Sequence, residues 1–215
     1  MHADDVPHQI PGIPDNIYGG FGLRLGSLLL DGLFCTPVAL LAMYIQSFGG
    51  EAYLLSILPI LAFNLWYAVY LPARNGGTPG KLIAGLTILK TTGQPIGLKE
   101  AFLRNIVTFA LSIFSVFVMT TALFAADMNT YTSLGFLERS RYLMSMAPLL
   151  FTINTWINNV WFYSELIVLL TNKQRRAIHD FIADTVIVKT KYLPQIQAYI
   201  NPPAEDQADA VVTQG

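Results

Sequence analysis

Arg24 and Asp31 are ionisable residues placed seven positions apart in an otherwise strongly apolar stretch. This spacing puts both on one face of a helix, with Asp31 about 10 Å farther along the axis. In a membrane Asp31 is too short to reach the interface, so it needs a partner, a hydrated cavity or a proton. Asp180 follows a second basic segment, and we expect it to pair with Arg24, Arg175 or Arg176. Arg24, Asp31 and Asp180 are therefore a candidate polar node.

A second polar group follows one face of a later apolar segment. Asn154, Asn158 and Glu165 are spaced by four and then seven residues, so they share a helical face, and Asn64 in an earlier segment is a candidate companion. A polar face of this kind is expected to point into a helix bundle. Two interpretations stay open: hydrogen bonds between helices, worth about 0.6 kcal/mol each on average, or a cation or proton path shared with Asp31.

The centre of the chain, residues 74–104, is a polar segment that contains Gly77-Thr78-Pro79-Gly80-Lys81. A glycine followed by a lysine invites comparison with phosphate-binding loops. The run lacks the spacing of G-x-x-x-x-G-K-[ST] and has no hydroxyl residue after the lysine. We therefore expect a tight cytoplasmic turn whose lysine contacts lipid headgroups.

The sequence offers little support for metal binding or catalysis. His179 and Asp180 are adjacent and could handle protons or ligate a metal, but the sequence offers no second ligand cluster. Cys35 is the single cysteine, which excludes a disulfide within the chain. No Ser-His-Asp or zinc-type spacing is present. We expect no enzyme, no cofactor, no metal site and no nucleic-acid partner.

The segments that must position these residues are apolar enough to cross a bilayer. The chain is 53% hydrophobic and 13% charged, with a mean hydropathy of +0.47, whereas soluble domains carry about 25% charged residues. Windows at about 23–47, 53–71, 105–126 and 147–171 reach the roughly 20 residues that a span requires. A soluble fold would have no polar layer left to cover them. We predict an all-α membrane protein with four transmembrane helices.

The charges between these windows predict the orientation. Residues 74–104 are strongly basic, with Glu100 as their single acid, and the segment after the fourth window is basic as well. The two remaining links carry little net charge. The positive-inside rule therefore places both basic segments and both termini in the cytoplasm. The acidic, proline-containing start of the chain does not have the pattern of a signal peptide.

The basic segments are expected to form a small cytoplasmic cap. Leu86–Lys90 and Thr185–Lys189 are β-branched runs that we expect to pair as short strands, the alternative being two separate interfacial segments. Residues 1–17 are predicted to be a mobile, disordered tail. Residues 192–215 are predicted to be a C-terminal tail, disordered in composition from Pro202 onward. A helix in the outer interface is one interpretation of the loop 127–146, although its periodicity is poor.

Four pieces of the chain, taken in order, resemble the RDD family of bacterial membrane proteins, named for one arginine and two aspartates. The pieces are Arg24-Leu-Gly-Ser-Leu-Leu-Leu-Asp31, Gly77-Thr-Pro-Gly-Lys81 with Gly85-Leu-Thr-Ile-Leu, Gly93-Gln-Pro-Ile with Ala101-Phe-Leu-Arg104-Asn105, and the terminal box from Arg175 to Val188. The resemblance covers roughly residues 18 to 189 and makes Asp180 the second aspartate. It implies a membrane domain over residues 18–191. The long outer loop and the asparagine-rich fourth window depart from the family pattern.

The resemblance implies a family for which transport has been suggested, including sodium–proton exchange in some members. We therefore expect a small transporter or ion-handling subunit, in which Asp31 binds a monovalent cation or proton and Arg24 and Asp180 form an inner gate. The alternative is a non-transporting scaffold for partner proteins, in which the same residues lock the helices together. A third interpretation is a sensor of lipid headgroups. Expected partners are the bilayer of the bacterial cytoplasmic membrane and a second copy or another membrane protein.

Overall fold

The computed structural model describes residues 6–7 and 9–201. Four long helices within this range are α1 (Phe21–Gln46), α2 (Gly50–Asn75), α4 (Leu98–Ala125) and α7 (Pro148–Thr171). The short helices are α3 (Pro79–Ile83), α5 (Met128–Ser133), α6 (Phe136–Met146), α8 (Ile178–Ile182) and α9 (Leu193–Ile200). The two strands are β1 (Leu86–Lys90) and β2 (Thr185–Lys189).

Among the described residues, three helices are long and apolar enough to cross a membrane, namely α1, α2 and α4. Large apolar side chains on their surfaces are exposed, as Leu29 and Leu55 show at 67% and 77%, which is the surface that a helix presents to lipid. The 24-residue helix α7 is not among the three. Three asparagines and Glu165 lower its hydropathy. Three of the four predicted spans are therefore matched by such a helix.

The long helices pack in chain order as a row. Helix α1 packs on α2, α2 on α4, and α4 on α7. The outer loop predicted to be one interfacial helix forms two short ones, α5 and α6, and α6 packs on both α4 and α7. A buried cluster that includes Tyr53, Leu123, Tyr131 and Leu143 joins this loop to the start of α2 and the end of α4.

The predicted pairing of the two β-branched runs is confirmed. β1 and β2 form an antiparallel pair in which Leu86 faces Lys189 and Lys90 faces Thr185. Alternation of the side chains buries both faces of this small sheet. One face packs on a cluster with Val69, Ile96 and Ala101, so the sheet rests directly on the end of α2 and the start of α4.

The other face of the sheet is covered by described segments near both ends of the chain. Val6, Ile10 and Ile17 pack there with Ile196 of α9, and the Val6 amide donates to the Thr91 carbonyl at 2.7 Å. A two-stranded sheet cannot bury its second face alone. The apolar residues of the first segment therefore cover that face. Residues 6–7 and 9–17 thus differ from the mobile tail that the sequence predicts, and part of the predicted tail 192–215 forms α9, in which Ile196 is fully buried. The tail predicted from residue 202 onward lies outside the described residues.

Candidate functional site

Asp31 lies on the buried face of α1 and is 9% exposed. Its carboxylate accepts hydrogen bonds from the Tyr67 hydroxyl at 2.7 Å, the Thr78 hydroxyl at 2.6 Å and the Gly80 backbone N–H at 2.8 Å. The Lys81 ammonium lies 3.6 Å from the carboxylate. Asp31 therefore has three hydrogen-bond donors and one cationic partner. All of them except Tyr67 belong to the Gly77-Thr78-Pro79-Gly80-Lys81 segment, the central loop.

Local backbone geometry brings these partners to Asp31. Tyr67 belongs to a π-helical turn, Trp66–Tyr70, within α2, a feature frequent at functional sites. Gly80 lies in the first turn of α3, so its N–H is not used inside that helix. A Cβ at Gly80 would lie 2.4 Å from the Ser27 carbonyl oxygen. Only glycine allows α3 to approach α1 this closely.

Lys81 faces into the protein instead of towards the lipid headgroups that the sequence analysis predicts. Its side chain is 22% exposed, and besides its ion pair with Asp31 its ammonium donates to the Thr78 hydroxyl at 3.4 Å. Burial lowers the pKa of the Lys81 ammonium, and the negative charge of Asp31 partly offsets that shift. Lys81 is consequently a cation that its surroundings make easier to deprotonate.

Asp180 is fully buried and forms a second site. Its carboxylate accepts hydrogen bonds from Arg24 at 2.8 Å, from Arg104, and from the Ala177 backbone N–H at 2.9 Å. Burial favours the neutral acid, but the guanidinium groups of Arg104 and Arg24 outweigh burial and hold the pKa of this carboxyl well below its ordinary value. Asp180 is thus an ionised carboxylate shared by two arginines.

The two arginines connect Asp180 to the rest of the cap. Arg24, in the first turn of α1, also donates to the carbonyl oxygens of Gly19 at 3.1 Å and Arg175 at 2.5 Å. Arg104, near the start of α4, also donates to the Thr185 hydroxyl of β2 at 2.5 Å. This site therefore ties the starts of α1 and α4 to α8 and the sheet.

The predicted node of Arg24, Asp31 and Asp180 divides into these two sites. The structure brings Arg24 and Asp180 together, whereas Asp31 binds the central loop. The reason is depth, because Asp31 lies two helical turns beyond Arg24. Neither Arg104 nor Tyr67 belongs to the node that the sequence predicts. Arg104 could have been found from the sequence, because it is a basic residue at the start of an apolar window.

The predicted polar path is not assembled around Asp31. Asn154 accepts a hydrogen bond from Ser115 of α4 at 3.0 Å, and Asn158 donates to the side-chain oxygen of Asn154 at 3.1 Å, so these amides join α4 to α7. Asn64 is exposed on α2. None of the hydrogen bonds of these asparagines reaches Asp31 in the part of the chain that the structure describes.

Glu165 binds the cap instead. Its carboxylate accepts from the His179 backbone N–H at 3.0 Å and lies 2.7 Å from His179 Nδ1. The other ring nitrogen, Nε2, lies 3.5 Å from Asp180. His179 thus stands between a carboxylate of α7 and the buried carboxylate of the cap. Within residues 6–7 and 9–201, no group of three or more His, Cys, Asp or Glu could hold a metal ion.

Comparison with known proteins gives one match. No curated protein and no solved structure matches the chain. The profile of the RDD family matches residues 18–184 of the 215-residue chain. The matched range contains both sites, from Arg24 and Asp31 on α1 to Asp180 on α8. This chain, with its long apolar helices, is therefore a membrane protein of the RDD family.

Proposed function

We propose that this protein exchanges a monovalent cation for a proton at the Asp31 site. The observation that carries the proposal is the ion pair of Asp31 and Lys81, in which the ammonium nitrogen lies 3.6 Å from the carboxylate and the side chains are 12% and 22% exposed. Asp31 is a carboxyl group inside an apolar helix, and its cationic partner is a group whose pKa is lowered by burial. Ionisable groups in such positions are by default candidates for ion pathways.

The exchange needs no covalent chemistry. A sodium-sized cation that binds the Asp31 carboxylate takes the place of the Lys81 ammonium, and the repulsion between the two cations makes Lys81 release its proton. One positive charge enters as one leaves, so the net charge of the site is unchanged. The hydroxyl oxygens of Tyr67 and Thr78, both within 2.7 Å of the carboxylate, add the oxygen ligands that hard cations prefer.

Arg24 and Asp180 have a different role in this proposal from the inner gate that the sequence suggests. Asp180 is fully buried and shared by Arg24 and Arg104, and separating such a group from its partners is strongly unfavourable. We assign these three residues to an anchor that holds the cap against α1 and α4. The moving part is then the contact between α3 and Asp31.

The proposal places four helices across the bacterial cytoplasmic membrane. Helix α7 has 24 residues, which gives a length of about 36 Å and is sufficient to cross the hydrocarbon core. On this helix the side-chain oxygen of Asn154 accepts from Ser115 and from the amide of Asn158. The cap carries the basic segments and the described chain ends, so the positive-inside rule places it in the cytoplasm.

The test is ion flux in liposomes that contain the purified protein. Proton movement driven by Na⁺, Li⁺ or K⁺ is expected for the native chain and is expected to disappear in Asp31→Asn and in Lys81→Met. Asp184→Asn is the control, because its side chain is 74% exposed and it touches neither Asp31 nor Lys81. Lys81→Met leaves all three hydrogen bonds to Asp31 intact, so loss of flux in a variant that still melts normally supports exchange. Normal flux in both variants contradicts the proposal.

A scaffold function is the second candidate, and one observation favours it. The Asp31 carboxylate has three direct hydrogen-bond donors, which is also what a purely structural lock requires. A scaffold predicts no flux with any cation, together with a large fall in the melting temperature of Asp31→Asn. Well-folded native protein that gives flat traces with all three cations decides in favour of this candidate.

A further inference from the structure

One face of α7 carries polar side chains that are exposed in the described part of the protein. Thr152, Thr155, Asn159 and Tyr163 recur at spacings of three, four and four, so they form one stripe along the helix. All four are exposed, whereas Asn154 and Asn158 face α4. Because α7 stands at one end of the row of long helices, the stripe is open around Asn159 and Tyr163, whereas Met144 of α6 lies beside Thr152 and Thr155.

Asn159 sets this face apart from ordinary lipid-facing surface. The hydroxyls of Thr152 and Thr155 are satisfied by the carbonyl oxygens of Pro148 and Phe151 at 2.8 and 2.9 Å. The side-chain amide of Asn159 makes no hydrogen bond to any described residue. Asn159 also lies at the middle of α7, with 11 residues before it and 12 after it in the helix. If α7 spans the bilayer, this amide lies near the midplane, where no water can satisfy it.

We propose that the Asn159 stripe binds the same stripe of a second copy of this chain. A carboxamide has both donors and an acceptor, so two copies related by a two-fold axis satisfy each other at Asn159. Thr155, one turn earlier, is small enough to let the two backbones approach. This inference rests on the proposed four-span arrangement, since an amide in water would need no partner. It does not depend on ion exchange.

Disulfide crosslinking locates the contact. Cys35 is the single cysteine, so a Cys35→Ala background gives clean single-cysteine variants. Asn159→Cys and Thr152→Cys are expected to form disulfide dimers in native membranes. Val160→Cys is the matched control, because it is 63% exposed at the same depth but about 100° around the helix. Equal crosslinking at Val160→Cys, or none at Asn159→Cys, overturns the proposal.

A second measurement tests the chemistry of the amide. In proteoliposomes, energy transfer between labelled copies is expected to show a monomer–dimer equilibrium that Asn159→Leu weakens about tenfold or more and Asn159→Gln largely keeps. Asn159 is exposed, so neither change disturbs the fold of the monomer. An unchanged equilibrium in Asn159→Leu overturns the proposal, as does crosslinking only to a different membrane protein. Dimers that form while flux is flat show that exchange alone has failed.

Discussion

Gly80 donates its backbone N–H to the carboxylate of Asp31 at 2.8 Å, across 49 positions of sequence. The contact joins the first turn of α3 to the buried face of α1. The close approach of α3 to α1 explains why residue 80 is a glycine. The Asp31 oxygen and the Ser27 carbonyl occupy the space that a side chain would need. The central loop is thus a bound part of the membrane domain and not a free turn.

Gly80→Ala is expected to separate α3 from α1. The added Cβ would meet the Ser27 carbonyl oxygen at 2.4 Å and the Asp31 carboxylate at 2.6 Å, and overpacking of this kind costs about 1–3 kcal/mol. Thermal unfolding in detergent, followed by tryptophan fluorescence, measures the loss. Gly26→Ala is the matched control, since nothing lies within 4 Å of its Cβ and a helical glycine replaced by alanine is neutral or stabilising. Equal melting of the two variants contradicts the prediction.

Asp180→Asn is expected to destabilise the protein strongly. The change leaves the guanidinium groups of Arg24 and Arg104 buried without their counter-charge, for which about 3–5 kcal/mol is typical. Denaturant unfolding in detergent checks the size of the effect. Asp184→Asn removes a carboxylate whose side chain is 74% exposed, and less than about 1 kcal/mol is expected there. A loss for Asp180→Asn as small as that of the control shows that the site is not an anchor.

Asp180 also predicts a dependence of stability on acid. Its pKa in the folded protein lies well below the ordinary value of 3.8 because Arg104 and Arg24 outweigh the effect of burial. Below that value the unfolded chain binds a proton that the folded chain does not, so unfolding becomes easier as pH falls. The contribution is therefore fully present above the ordinary pKa and is lost progressively below it. Unfolding midpoints measured from neutral pH downward should show this loss in the native chain and in Asp184→Asn, and a shallower loss in Asp180→Asn.

Glu165→Ala is expected to loosen the cap from α7. The change removes the acceptor for the His179 backbone N–H and the carboxylate that lies 2.7 Å from its ring nitrogen Nδ1, and hydrogen bonds to charged groups contribute about 1.5–3 kcal/mol. Hydrogen exchange of the amides in residues 177–183 is expected to accelerate. Glu165→Gln keeps an acceptor for the N–H and is expected to show a smaller change. Exchange rates equal to those of the native chain in both variants mean that this tether does not hold the cap.

Local patterns predicted the elements well. Apolar windows gave the long helices, and the alternating runs at Leu86–Lys90 and Thr185–Lys189 gave a sheet whose pairing the structure confirms. The prediction of a mobile tail is wrong for the described residues 6–7 and 9–17. Val6 and Ile17 are buried only because they pack on a sheet face formed by strands that are distant in sequence. The sequence indicated that Asn154, Asn158 and Glu165 form a polar face on α7. It did not indicate their partners on α4 and in the cap.

Local composition alone indicates that Arg24, Asp31 and Asp180 need partners, because ionisable groups in or beside apolar helices are costly without one. The identity of each partner depends on the tertiary fold. Arg24 reaches Asp180 across 156 positions and Arg104 reaches it across 76, while Asp31 takes the central loop. Helical periodicity fixes the face on which a residue lies, but contacts between helices depend on how the whole bundle and its cap pack.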